Sequence, residues 1–427
     1  MRRIRHYLKR NRATQRPTRH LFVDVESRLL PVDETRTDHE LWFGWACYWR
    51  TRKGRPSDSR DWLRFETAGD LWDFVTAKTK KREPLYLISH NVSYDFGVLR
   101  IFESLEARGY ELSSFWTSGM ATIASFENDG RKIVLLDNGN YFPGTLAKWG
   151  QAIGFPKGEA DPLTDPVEIV DPYCHRDVEI MVKLWRNLYD FLDENDLGNW
   201  GKTLPSQAFS AFRHRFMDQR IVIHADADAL ALERAAYHGG RSSVFYKGKL
   251  ENGPFYKLDV NSMYPYVMAT EKYPNDLIGY KSPASLVELE KRIEHYAVIA
   301  RVQLRTDEPC YPVRNKRRIV YPLGIFETTL STPELRHAIA RGHILYVRSL
   351  AYYMQAILFR DYVDHFYKLK QKLAGDPGNP WYAFAKLYLN SLYGKFGQLA
   401  HHWERIDGDG SPYEDSDFYV NLVTGLA

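Results

Sequence analysis

The apolar run from Leu21 to Val25 carries one carboxylate, Asp24, inside it and a second, Glu26, two residues further on. Residues two apart on a strand point to the same face. Two carboxylates on one face of an apolar strand repel each other unless a cation lies between them, so this pattern asks for a metal site. Taken alone, Asp-x-Glu also fits a solvated strand end, and both readings stay open at this point.

Two further acidic clusters follow. His90-Asn91-Val92-Ser93-Tyr94-Asp95 comes directly after Leu85-Tyr86-Leu87-Ile88, which reads as a strand. A carboxylate just past a strand end is well placed to share a site, although Asn and Asp also serve ordinary turns. The third cluster is Tyr173-Cys174-His175-Arg176-Asp177. Asp171 as cap and Pro172 as first residue predict a helix here, with Met181, Leu184, Trp185, Leu188 and Leu192 as its apolar face. Tyr173 and Asp177 share a face of that helix. A phenol beside a metal-bound carboxylate can orient an attacking water; a surface turn of helix is the plain alternative.

The chain has 427 residues, too many for one ordinary core, so two or three domains are expected. Alternating strand-like and helical segments run to about Asn195, predicting an α/β domain over 21–195. The polar stretch 194–206 is the expected boundary to a second domain over 196–427. The net charge is only +4, so basic character matters only where it is local. It is local in residues 1–20, which carry Arg2, Arg3, Arg5, Lys9, Arg10, Arg12, Arg16 and Arg19 and no acid. That arm suits phosphate contacts, a solvated tail or an organellar presequence, and the absence of Ser argues against the last. Cys47, Cys174 and Cys310 show no metal-ligand spacing, so neither a disulfide framework nor a zinc site is expected, and the setting is intracellular and reducing. No apolar run is long enough to span a membrane, so no membrane partner is expected.

In their order, the three clusters resemble the exonuclease motifs of DnaQ-like proofreading domains: Asp-x-Glu, Asn-x-x-Tyr-Asp and Tyr-x-x-x-Asp. The resemblance implies a ribonuclease H-like domain in which Asp24, Glu26, Asp95 and Asp177 hold two Mg²⁺ or Mn²⁺ ions. It gives Tyr173 the task of positioning water, and His90, Asn91 and Tyr94 that of holding a frayed 3′ strand, with the Tyr94 ring free to stack on a base.

The second region carries different signals. Asp259-Val260-Asn261-Ser262-Met263-Tyr264-Pro265 resembles motif A of B-family DNA polymerases, with Met263 where Leu is usual. The resemblance makes Asp259 a ligand of both catalytic ions, adds the Val260 carbonyl, and puts Tyr264 beneath the incoming sugar, excluding a 2′-hydroxyl. Lys386-Leu387-Tyr388-Leu389-Asn390-Ser391-Leu392-Tyr393-Gly394 matches motif B, which assigns Lys386, Asn390 and Tyr393 to the nucleotide. A helical hairpin is expected around it: Met354–Leu373, a turn at 375–379, then a helix begun by Pro380 with Asn379 as cap and stopped at Gly394. Lys368 and Lys372 lie near that turn, and Lys372 is carried over as a phosphate contact, with solvated lysines as the alternative. Tyr237-His238-Gly239-Gly240-Arg241 resembles the family's Tyr-x-Gly-Gly segment, which assigns Tyr237, Gly239, Gly240 and Arg241 to DNA; a tight turn is the other reading. With Tyr321–Phe326 and Thr332–Leu335, it points to the protein-primed viral and linear-plasmid branch.

The fold implied is an α/β ribonuclease H-like exonuclease domain followed by an incomplete α+β palm and fingers, because motif C is not found in its expected setting. Tyr413-Glu414-Asp415-Ser416-Asp417 comes too soon after Asn390 and follows a Gly- and Pro-containing stretch, so it reads as a chance match. The implied activity is DNA-directed DNA synthesis with 3′→5′ proofreading. The implied partners are primer-template and single-stranded DNA, dNTPs and a terminal priming protein. The implied place is the cytoplasm of a phage-infected or plasmid-bearing cell, or an organelle. A stand-alone single-strand exonuclease and a catalytically silent DNA- or primer-protein-binding module are the rival readings.

Overall fold

A computed structural model describes residues 5–31, 37–52, 55–118, 121–251, 253–316, 318–376 and 379–397. In chain order, a short β1 (His6–Tyr7) precedes β2 (Arg19–Pro31), β3 (Thr37–Arg52) and β4 (Arg55–Phe65). Then come α1 (Ala68–Ala77), β5 (Leu85–Ser89), α2 (Val92–Val98) and α3 (Ile101–Glu106). Strands β6 (Glu111–Ser118), β7 (Ala121–Asn128) and β8 (Arg131–Asp137) lead to α4 (Leu146–Ala152), α5 (Val167–Glu194) and α6 (Leu204–Ala211). Next follow β9 (Val222–Ile223), α7 (Ala227–Ala236), α8 (Met263–Thr270), β10 (Tyr273–Lys281), α9 (Leu286–Ile293) and β11 (Ala297–Thr306). The order closes with β12 (Val313–Asn315), β13 (Arg318–Val320), β14 (Gly324–Leu330), α10 (Thr332–Ala340), β15 (Ile344–Ala356), α11 (Arg360–Lys372) and α12 (Pro380–Phe396).

The chain forms two compact units, Asn11–Arg215 with Phe366–Tyr388, and Met1–Arg10 with Phe216–His365 and Leu389–Ala427. The break at 194–206 lies inside the first segment of the first unit, which runs to Arg215. The first unit is built on a seven-stranded mixed sheet in the order β4-β3-β2-β5-β8-β7-β6, with β2, β5 and β8 parallel. Central β2 is buried on both faces, which is why its sequence reads as a continuous apolar run. Leu21, Val23 and Val25 enter the core under α1–α3. Phe22, His20 and, further along, Asp24 and Glu26 take the opposite face, where Trp185 of α5 lies against the Phe22 ring at 6.3 Å.

The second unit centres on the antiparallel sheet β10-β15-β11-β14. Strand β11 alternates cleanly: Val298, Ala300, Val302 and Leu304 pack with Leu289 of α9 and Leu335 of α10, while Ala297 and Ile299 pack with Leu232 of α7.

Four local expectations are corrected. Helix α5 begins at Val167, so Pro172 sits inside it, where its missing N–H removes one bond to the preceding turn. Asp171 does not cap the helix; it accepts from Trp45 Nε1 at 2.9 Å and pairs with Arg64. Met354 belongs to β15, where exposed Met354 follows fully buried Tyr353 in strand alternation, and the next helix starts only at Arg360. Helix α12 runs past Gly394 to Phe396, whose buried ring meets Phe359 at 5.2 Å. Its start agrees with expectation: Trp381 N donates to Asn379 Oδ1 at 3.0 Å. The basic arm is built into the fold: β1 pairs with β9, Arg5 pairs with Asp276, Arg16 with Asp193 at 2.8 Å, and Arg19 with Glu83 at 2.8 Å. Those arginines are committed to protein partners. Asp415 and Asp417 lie outside the described residues. No helix among the described residues is long and apolar enough to cross a membrane.

Candidate active site

In the first unit, three elements bring four carboxylates to one place. Asp24 and Glu26 stand on β2, Asp95 on α2 and Asp177 on α5. Local features hold them there. A bulge in the β2–β3 pairing falls immediately after Glu26. Gly44 of β3 lies so close beneath that a Cβ would come within 2.8 Å of the Asp24 carbonyl and 2.3 Å of the Phe65 ring. Asn91, at φ 71°, turns the chain from β5 into α2 and so delivers Asp95. Asp95 Oδ1 accepts from Val25 N at 3.2 Å and its Oδ2 from Ser89 Oγ, fastening α2 to the end of β2.

Asp95 and Asp177 are almost wholly buried, at 2% and 3% exposure, and Glu26 is buried too. Burial, with the charge of Asp177 second, raises the Glu26 carboxyl to about 7. Burial likewise takes Asp95 to about 7 and Asp177 to about 6. Asp24 is held well above the usual carboxylate range by burial and by the charges of Asp177, Asp95 and Glu26. The buried Asp177 Oδ1 has no hydrogen-bond partner. A dication here would relieve both the repulsion among these acids and the unsatisfied Asp177 oxygen, so the four carboxylates could hold one.

Lys157, which sequence reasoning did not single out, binds Asp177 Oδ2 and lies 4.2 Å above the Tyr173 ring. It rides on an irregular loop pinned by Phe155, whose ring is capped by Arg176 at 4.0 Å and Lys183 at 4.5 Å. Burial alone would lower its ammonium, but the Asp177 charge and hydrogen bond outweigh that and raise it. Cys174, between Tyr173 and Asp177 in sequence, donates its thiol to the Asp24 carbonyl at 3.5 Å.

Of the residues expected to hold a strand, Tyr94 bonds to Ser27 Oγ through its hydroxyl at 2.7 Å and is 37% exposed. Asn91 is exposed. His90 is committed to the protein at both nitrogens, through Gly144 O at 2.9 Å and Asn138 Nδ2 at 3.0 Å.

In the second unit, Tyr264 of α8 stacks on Tyr393 of α12, with centroids 4.9 Å apart and planes 3° from parallel. A Cβ at Gly240 would meet the Tyr264 hydroxyl at 2.6 Å, so glycine is what fits there. Tyr237 caps α7 and its ring fills the space beside Gly397, while Arg314 donates to its carbonyl at 2.7 Å. Gly239 is exposed, and the Arg241 guanidinium covers the Tyr321 ring at 4.2 Å. Asp259 and Val260 are exposed in a stretch without regular structure, ahead of Ser262 at φ 56° and α8. Asn390 is exposed on α12; Lys372 and Lys386 are exposed on α11 and α12 within the first unit.

The family of organellar and viral type B DNA polymerases matches residues 164–405, more than half of the chain. The chain belongs to this family. Among relatives, a probable DNA polymerase of Agaricus bitorquis is 26% identical over 388 residues, covering 77% of this chain and 47% of its own length. The DNA-directed DNA polymerase of Enterobacteria phage PRD1 is 29% identical over 209 residues, 44% of this chain and 34% of the relative. The chain thus spans less than half the length of these curated relatives. Phi29 DNA polymerase in an orthorhombic crystal form superposes with a TM-score of 0.66 at 18% identity, covering 96% of this chain and 75% of that one. Its complex with primer-template DNA gives 0.62 at 17% identity, over 96% and 74%. The fold is therefore the mixed α/β fold of that type B polymerase.

The matched family region includes Tyr173 and Asp177, the Tyr237–Arg241 segment, Asp259, Tyr264, Lys372 and the Lys386–Tyr393 helix. Asp24, Glu26, Asp95 and Lys157 lie before it, and their grouping rests on the geometry above.

Proposed function

We propose that this type B polymerase chain couples a 3′→5′ proofreading exonuclease, in the unit holding Asp24, to palm and fingers segments of a DNA-directed DNA polymerase, in a system primed by protein. The observation that carries the exonuclease reading is the convergence of Asp24, Glu26, Asp95 and Asp177 from three elements onto one place, where a buried oxygen of Asp177 has no hydrogen-bond partner.

The residues fit a pair of hard dications. Asp24, Glu26, Asp95 and Asp177 would hold them, and Mg²⁺ or Mn²⁺ there would supply an activated water and charge neutralisation for in-line attack on a phosphodiester. The chain's own side chains do the rest. Tyr173 stands on the Asp177 face of α5 and orients the attacking water through its hydroxyl. Lys157 places an ammonium between Asp177 and that ring, where it holds the carboxylate and offsets charge gathering on phosphate. Tyr94, partly exposed above Ser27, offers a ring on which an unpaired 3′ base stacks.

In the other unit, Asp259 is the motif A carboxylate, with the Val260 carbonyl beside it. The Tyr264–Tyr393 stack sets a floor under an incoming deoxynucleotide, and Asn390 flanks it. Tyr237, Gly239, Gly240 and Arg241 of that unit meet template phosphates, and Lys372 and Lys386, which lie in the first unit, keep the triphosphate role that the motif resemblance implies. The similarity to phage polymerases supports this half of the reading, and a terminal priming protein is the partner proposed with it.

The test is digestion of 5′-labelled single-stranded DNA by the chain with Mg²⁺ or Mn²⁺. A ladder shortening from the 3′ end is expected, with cleavage abolished in the Asp24→Ala/Glu26→Ala double variant and its circular dichroism unchanged. Undiminished cleavage in that variant would sink the assignment, and no cleavage by the native chain would favour a silent binding module.

A further inference from the structure

We propose that Glu308, Cys310 and His337 form a Zn²⁺ site on the second unit, made of residues that the polymerase and exonuclease readings do not use. A carboxylate oxygen, a thiol sulfur and an imidazole nitrogen from these three lie within 4.8 Å of one another. His337 Nε2 is 3.2 Å from Glu308 Oε2, and Cys310 Sγ is 4.0 Å from the same oxygen. Zinc–nitrogen and zinc–oxygen bonds near 2.0 Å and zinc–sulfur bonds near 2.3 Å, set tetrahedrally, put ligand atoms roughly 3.3–3.8 Å apart. The donors therefore stand close to coordinating distance already, and side-chain rotations suffice to close the set.

The sequence hides this group because its members are distant along the chain. Glu308 and Cys310 come from the turn after β11, and His337 from the last turn of α10. The turn is held by local bonds: Glu308 N donates to the Thr306 side-chain Oγ1 at 2.9 Å, and Cys310 N to Glu308 O at 2.9 Å. Arg341 approaches the other carboxylate oxygen, Oε1, at 3.4 Å, orienting the group while leaving Oε2 to the donor cluster. Asp307 and His343 gather around the same Glu308 in a second set within 4.8 Å, and Tyr311 OH fixes the His343 ring through Nδ1 at 2.8 Å. A side chain as well as water is thus at hand for a fourth position.

Ligand chemistry selects the ion. A thiolate with an imidazole favours zinc-like ions and disfavours Mg²⁺ and Mn²⁺, so this site and the acidic quartet would sort different cations. Binding releases the Cys310 proton to solvent and ties the turn after β11 to α10. An ion-pair cluster of Glu308 with His337 and Arg341 is the alternative that the experiment must separate.

Co²⁺ is the probe, added to the full 427-residue chain in excess Mg²⁺, which occupies carboxylate sites without competing for thiolate. The result expected is a sulfur-to-Co²⁺ charge-transfer band in the near ultraviolet, displaced by one Zn²⁺ per chain. The band should vanish in Cys310→Ser and in His337→Gln, with native circular dichroism in each. It should persist in Cys174→Ser, which removes the thiol near Asp24 and Glu26. No band, a band that survives Cys310→Ser, or a band lost in Cys174→Ser would overturn the proposal.

Discussion

Lys157 shows how one side chain can hold together a site that its neighbours would push apart. Its ammonium binds Asp177, the acid whose charge helps raise both Asp24 and Glu26. Lys157→Met should lower exonuclease turnover by about 10²-fold, chiefly in kcat, because the charge it supplies matters most where phosphate charge builds up. Single-turnover digestion, with circular dichroism as the control for folding, checks this; unchanged turnover would make Lys157 a structural counter-ion only. The lysine was not legible in the sequence because it sits in a loop with no period, and its partners, Asp177 and the Tyr173 ring, lie beside it only in the fold. Asp24 was legible on its own, because an acid inside an apolar strand is costly unless something compensates it. That Asp95 and Asp177 join it came only from the order of the three motifs and their resemblance to proofreading domains, because no periodicity says how α5 and α2 cross the sheet.

At the scale of elements, the β2–β3 pair fixes the position of Asp24. Gly44 lies where any side chain would strike the Phe65 ring and the Asp24 carbonyl. Gly44→Ala should therefore destabilise the chain by about 1–3 kcal/mol, through displaced backbone and ring rather than lost contacts. Denaturant unfolding measures it, and wild-type stability would show that β3 yields without strain. Elements whose burial follows a simple period were read correctly: β2, β5 and the apolar face of α5 all stand where the pattern put them. Errors came where two signals competed. Pro172 after Asp171 imitates a helix start, yet α5 already runs through it, and Asp171 is claimed by Arg64 and Trp45. Met354 looked helical beside the following helix, but cross-strand pairing with Asp276 of β10 decides its conformation. Gly394 reads as a stop, but burial of Phe396 carries α12 two residues further.

At the scale of the whole molecule, acid stability follows from buried titratable groups of opposite sign. His20 is wholly buried under Trp49 and Tyr189, and burial lowers its imidazole from 6.5 to about 3. The unfolded chain takes up that proton near 6.5 and the folded chain only near 3, so stability present above 6.5 is lost as the pH falls through this window. The loss is about 1.4 kcal/mol per pH unit. The raised carboxyls act in the opposite sense, but they remain in both proteins when wild type is compared with His20→Gln. Between pH 6.5 and 4.5, wild type should lose about 2–3 kcal/mol relative to that variant. Parallel stability curves for the two proteins would remove His20 from the acid limb.

The claim on which the functional account turns is that Asp24, Glu26, Asp95 and Asp177 form a divalent-cation centre, and counting bound Mn²⁺ by electron paramagnetic resonance tests it most directly. With Glu26 and Asp95 raised to about 7, binding should be weak at pH 6 and strong at pH 8, because the carboxyls must lose their protons to coordinate. Two ions per chain are expected at pH 8, with both lost or greatly weakened in Asp24→Ala/Glu26→Ala. Mn²⁺ binding that is equal in that double variant and the native chain, or that shows no dependence on pH, would contradict the account.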